Sequence, residues 1–207
     1  MSVVVVTGGI GSGKSSVCRM MYERGWTAQY DADARVKALY VEDNGLLASI
    51  EEALDSVLRD GNGVFQPRLL AQRIFSDKDA LATVESLVFP ALIEDFEKFK
   101  RRNAGEEVIV FESATILEKP QFDGLPDIVV LVDAPLELRA SRASSRDGAD
   151  IEAVRSRMAS QPLMNRLSQG ETDPRVDFAI CNDGTPAELA DKVEELMSNI
   201  HKQFIKK

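Results

Sequence analysis

Apolar residues along this chain fall into short unbroken runs separated by longer stretches with helical spacing. Residues 3–6 are four consecutive valines, too short for a helix and too continuous for a half-exposed strand, so they predict a strand buried on both faces. Residues 13–24 then read as a helix that Gly25 ends, and 26–30 as a second strand, which completes a βαβ unit. The runs at 108–111 and 128–132 repeat the first pattern and predict two further buried strands of a parallel sheet, with 178–181 as a fifth. Thr185, Pro186 and Glu188 supply an N-cap, a first-turn proline and the far side of a capping box, so a last helix runs from there towards His201. The predicted class is therefore α/β, a five-stranded parallel sheet flanked by helices.

Between the second and third strands, residues 35–103 show helical periodicity, a turn at Asp60-Gly61-Asn62-Gly63 and a helix start at Ser76. This is far longer than one crossover helix. Such an insertion commonly forms a substrate-binding subdomain, the other reading being extra helices that merely cover a sheet face. The chain has no internal repeat or low-complexity tract.

A length of 207 residues suits one α/β domain with insertions. A net charge of −9 and a pI near 4.8 argue against broad binding to nucleic acid or anionic membranes, so any anionic ligand must be held by local geometry. Cys18 and Cys181 form neither a disulfide framework nor a metal knuckle and read as small core residues. The N-terminus shows neither a basic leader nor a long apolar segment, so a cytoplasmic location is expected.

The chemistry begins where the valine strand ends. Gly8 through Ser15 match GxxxxGKS, a phosphate-binding P-loop. Its glycines allow a nest of backbone N–H groups at the positive end of the following helix, and a nucleoside triphosphate is the expected ligand. Gly9, Ile10, Gly11, Ser12, Gly13, Lys14, Ser15 and Ser16 are the candidate nucleotide-binding residues, with Lys14 adding a full charge and the Ser15 hydroxyl placed for magnesium. A right-handed crossover brings the end of the second strand beside this loop, so Asp31 and Asp33 fall near the γ-phosphate and its acceptor. If the strand continues through both, they share a side, one as general base and the other holding magnesium or the acceptor; alternatively both cap the next helix. Glu112 and Asp133 each end a buried strand and are equal candidates for the acid that supports the metal. Arg139, Arg142 and Arg146 lie on one helical stripe. From Pro135 to Arg166 six arginines face four acids, a local excess of +2 in an acidic protein. That segment reads as a mobile arginine lid jointed at Gly148, or else as a solvated face of ion pairs.

Together these residues resemble the dephospho-CoA kinases. The resemblance spans nearly the whole chain and is carried by Thr7-Gly8-Gly9-Ile10-Gly11-Ser12-Gly13-Lys14-Ser15, Asp31-Ala32-Asp33, Arg73-Ile74-Phe75, Ile116-Leu117-Glu118, Arg142 with Arg146-Asp147, Arg157 with Gln161, and Ile180-Cys181-Asn182. It implies a P-loop kinase fold with a nucleotide-binding core at 1–34 and 105–207, a lid at about 139–166 and a helical acceptor-binding insertion at 35–104. It further implies ATP and Mg2+ as cofactors, dephospho-CoA as the small-molecule substrate, and phosphorylation of its ribose 3′-hydroxyl. Asp33 would be the base, Thr7 would lie near the reacting phosphate, and Arg142 or Arg146 would stabilise that phosphate from the lid. Asp31, Arg73 and Glu118 join Asp33 as acceptor-binding candidates, and Ser15 with Glu112 as the metal pair. The chain departs from the family pattern in having Phe89-Pro90 for His-Pro, Glu112-Ser113-Ala114 after the third strand, and Asp173-Pro174-Arg175 before the last. No nucleic-acid or membrane partner is expected, and the chain should act as a monomer or small homo-oligomer. The rival readings are a kinase for another small hydroxyl acceptor and an ATP-binding switch without transfer. No NKxD guanine-reading motif is present.

Overall fold

The computed structural model describes residues 1–75 and 77–205; Ser76, where a helix start was expected, lies outside the described residues. Two compact units emerge, one made of residues 1–31 and 103–207, the other of residues 32–102.

The first unit is built on five parallel strands, β1 (Ser2–Thr7), β2 (Ala28–Asp31), β3 (Val108–Glu112), β4 (Ile128–Asp133) and β5 (Phe178–Cys181), in the order β2-β3-β1-β4-β5. The valine run takes the central place because a β-branched strand without polar side chains tolerates cover on both faces. Val4 sits opposite Val110 on β3 and Ile128 on β4. On one face Val4 and Val6 pack with Val17 and Met21 of α1 (Lys14–Glu23) and with Leu189 and Val193 of α9 (Pro186–Ile200). On the other, the rings of Tyr30 and Phe111 stack at 5.3 Å and Phe122 leans against Phe111 at 6.4 Å. All five strand expectations hold, β2 beginning two residues later than its apolar run.

The capping box of α9 is present: Glu188 N donates to Thr185 Oγ1 at 3.3 Å, and Thr185 N to Glu188 Oε2 at 2.7 Å. Cys18 is buried as expected, whereas Cys181 is exposed. The reason is that β5 is an edge strand, where alternation turns Ile180 inward and Cys181 outward.

The second unit contains α2 (Ala32–Glu42), α3 (Asn44–Ala53), α4 (Pro67–Phe75) and α5 (Lys78–Arg102). The expected turn is closed by Asp60, whose Oδ1 accepts from Asn62 N and Val64 N, beside an antiparallel bridge between Arg59 and Phe65. Asp77 serves the start of α5, accepting from the N–H groups of Asp79 and Ala80. Along α5, Ala80, Val84, Val88, Leu92 and Phe96 recur every fourth residue as its buried face. Arg35 on α2 reaches α5 through a two-pronged pair with Asp95 at 2.9 and 3.0 Å.

Candidate active site

The hand-over from β1 to α1 forms the site's floor. Gly13, the residue before α1, has φ 101°, a left-handed conformation, and a Cβ there would lie 2.1 Å from Asn182 Nδ2. Both facts demand glycine. That Asn182 amide donates to Ser12 O at 2.9 Å, so the chain after β5 holds the loop's end. Lys14 Nζ donates to the carbonyls of Gly8 at 2.9 Å and Gly9 at 3.4 Å. Gly11, Gly13, Lys14, Ser15 and Ser16 line one side of an open cleft, and Arg142, Ala143 and Arg146 line the other.

Ser15 Oγ donates to Glu112 Oε1 at 2.7 Å. Glu112 ends β3 directly beside Asp31 of β2. Burial pushes its carboxyl above the usual value, the Ser15 hydrogen bond opposes this, and the Asp31 charge reinforces it. The Cys18 thiol, one helical turn from Ser15, also reaches Glu112, and burial raises it well above its ordinary value. Of the two strand-end acids, Glu112 is the one that meets the P-loop serine. Asp133 accepts instead from Ser168 Oγ at 2.7 Å and lies 3.7 Å from Arg139 Nη1.

The arginine stripe on α6 (Leu136–Asp147) divides. Arg142 Nη1 donates to Asn182 O at 2.9 Å. Arg146 places its fork on Asp147 at 2.7 and 3.3 Å, and Arg157 of α7 (Ile151–Ala159) joins the same carboxylate at 2.7 Å. These arginines hold the Asp147 carboxyl far below its usual range, Arg146 most strongly. Arg139 departs from the expected anion-facing stripe. It is wholly buried, with Nε donating to Ile10 O at 3.1 Å, and burial lowers the pKa of its guanidinium while Asp133 opposes that shift. Helical spacing put three cations in one row, but the row's first member points under the P-loop. Gly148, which follows α6, is left-handed at φ 59°.

The remaining candidates spread over both units. Thr7 ends β1 with its side chain completely buried and its Oγ1 without a hydrogen-bond partner. Strand β2 stops at Asp31, so alternation does not carry it through Asp33, which sits in the first turn of α2 in the second unit. Arg73, also in the second unit, pairs with Asp77 one turn on. Glu118 Oε1 accepts from Leu163 N at 3.2 Å, at the start of α8 (Pro162–Ser168). One loop-holding contact had no local signal in the sequence. Gln161 Oε1, 5% exposed, accepts from Ile10 N at 2.9 Å.

Among the described residues no group of three or more His, Cys, Asp or Glu could hold a metal by itself, and no helix is long and apolar enough to cross a membrane. A family model described as dephospho-CoA kinase matches residues 2–188. The dephospho-CoA kinase of Porphyromonas gingivalis is 36% identical over 176 residues, covering 85% of either chain. That of Salinibacter ruber is 34% identical over 197 residues, covering 95% of this chain and 96% of its own. Among solved structures, a Thermus thermophilus protein superposes with a TM-score of 0.79 at 24% identity over 96% of this chain and 97% of its own, a likeness of fold alone.

Proposed function

The chain belongs to the dephospho-CoA kinase family, and from that premise we propose how its own residues transfer the γ-phosphoryl group of ATP to the ribose 3′-hydroxyl of dephospho-CoA, the step that ends coenzyme A synthesis. The observation that carries the assignment is the Ser15–Glu112 hydrogen bond of 2.7 Å at the foot of the P-loop, with Lys14 one residue away. It joins a hydroxyl and a carboxylate where the phosphate nest opens. Phosphoryl transfer asks for positioning and charge neutralisation more than for covalent help, and this set supplies both.

Lys14 exchanges the carbonyls of Gly8 and Gly9 for phosphate oxygens, while the loop's N–H groups cradle the rest of the chain of phosphates. Two hard oxygen donors, one of them a half-buried carboxylate whose negative charge is disfavoured until a cation compensates it, fit Mg2+. Ser15 and Glu112 would hold that ion, and its charge would neutralise the phosphate oxygens. Arg142 and Arg146 line the same cleft and turn from Asn182 and Asp147 to the transferred group, with the 139–166 segment acting as the lid. Thr7 borders the reacting phosphate from the end of β1.

Residues 35–104 take the acceptor, with Arg73 as a binding group; Asp33 as base, together with Asp31 and Glu118, completes the acceptor's contacts from the core, residues 1–34 and 105–207. Asp33 orients the 3′-hydroxyl and takes its proton as the new O–P bond forms and the bond to ADP breaks. We assign the enzyme to the cytoplasm, in keeping with two unpaired cysteines. The test is turnover of purified protein with ATP and Mg2+ against dephospho-CoA, nucleosides, nucleotides and sugar acids. ADP and CoA should form with dephospho-CoA alone. Faster turnover of another acceptor, or no ADP above background, overturns the assignment.

A further inference from the structure

Arg139 is a charged side chain with no solvent exposure, and the reaction as derived above gives it no task. Its surroundings are specific. Nε donates to Ile10 O at 3.1 Å, and Nη1 donates at 2.6 Å to Ser168 Oγ, which in turn donates to Asp133 Oδ1 at 2.7 Å. The third nitrogen, Nη2, is buried and makes no hydrogen bond. It lies against Gly9, where a Cβ would fall 1.8 Å from Nη2 and 2.5 Å from Cζ. Unlike Gly8, Gly11 and Gly13, Gly9 is not in the positive-φ region. Its backbone would therefore accept alanine, and the space behind it would not.

We infer that Arg139 is a positioning residue of the P-loop, a strut that ties Ile10 and Gly9 to Ser168 and Asp133 and is itself the reason that position 9 must be glycine. Ile10 is gripped at both ends of its backbone, its N–H by Gln161 and its carbonyl by Arg139. A loop gripped in this way presents its phosphate-binding N–H groups without first paying to order them. A guanidinium suits the task because its planar fork serves Ile10 and Ser168 at once, which a lysine cannot do. Asp133, one of the two acids that the strand ends offered for metal binding, becomes the anchor of this strut.

The inference rests on reading the cleft as the ATP site, and a double-mutant cycle separates the two ideas. Gly9→Ala, Arg139→Leu and the double variant are compared by melting temperature without nucleotide, by ATP dissociation constant, and by kcat and acceptor KM. In the parent background Gly9→Ala should lower the melting temperature and weaken ATP roughly a hundredfold, because methyl and guanidinium compete for one space. In the Arg139→Leu background the same change should cost less than about threefold, since the leucine leaves that space open. Arg139→Leu alone should weaken ATP roughly tenfold with acceptor KM unchanged, a split that a generally damaged core would not give.

If Arg139→Leu fails to fold, Ser168→Ala carries the test, with an expected loss of about threefold in ATP affinity at unchanged acceptor KM. A parent chain that binds no ATP overturns the site reading and this inference with it. A parent that binds ATP, with costs that simply add in the cycle or with ATP affinity untouched by Arg139→Leu or Ser168→Ala, overturns the inference alone.

Discussion

Lys14 donates to two carbonyls of its own loop and its charge favours the ionised Glu112 carboxylate, and in the proposed mechanism it is the cation that the phosphates meet. Lys14→Ala should lower kcat/KM for ATP on the order of a hundredfold with the chain still folded, as steady-state kinetics and thermal melts will show. Glu112 behaves differently, because burial raises its carboxyl in the folded state and the Asp31 charge adds to that. The folded chain therefore holds this proton more tightly than the unfolded chain. Stability is full below the ordinary carboxylate pKa and falls as pH rises through the raised one. Glu112→Gln should accordingly melt higher than the parent at pH 7 without magnesium, converge with it in acid, and lose the magnesium dependence of ATP binding. Melts across pH and ATP titrations with and without Mg2+ check all three. The sequence left Glu112 and Asp133 equal because both end buried strands, and the difference lies in what each meets. Ser15 meets one, while Ser168 and Arg139 hold the other.

Elements were legible wherever local spacing and end signals sufficed. Four of the strands coincide with apolar runs, and the box at Thr185 starts α9 as its residues dictate. Thr185→Ala should cost about 1 kcal/mol in chemical unfolding, since it leaves the Glu188 N–H without its acceptor. Failures came where an element's end or its facing partner mattered. Strand β2 gives way to helix at Ala32, so alternation across Asp31 and Asp33 does not apply. On α6, i, i+3, i+7 spacing identifies a shared stripe but not what covers it. Arg139 meets the loop, while Arg142 and Arg146 line the cleft. Burial at β5 was overestimated at Cys181 because a four-residue run does not reveal that its strand lies at one edge of the sheet.

Phosphoryl transfer needs an anion cradle, a metal-compatible pair and a base, and the mechanism proposed above gives the base's role to Asp33, in the first turn of α2. Asp33→Asn should therefore reduce kcat by roughly 10²- to 10³-fold while ATP affinity stays within about twofold, a split measured by turnover and by direct ATP titration. Equal losses in both quantities would remove Asp33 from the base's role. A net charge of −9 adds no general attraction for ATP, so the proposed mechanism takes its affinity from local groups, the cleft-lining Lys14, Arg142 and Arg146 and the loop's N–H groups. Strand count, parallel pairing, the P-loop and the kinase reading were all present in the linear order of residues, because each depends on neighbours within a few positions. Which acid meets Ser15, which arginine props the loop and which glutamine grips Ile10 emerged only on folding. Those contacts join residues 97, 129 and 151 positions apart, and no local pattern records a meeting that packing alone brings about.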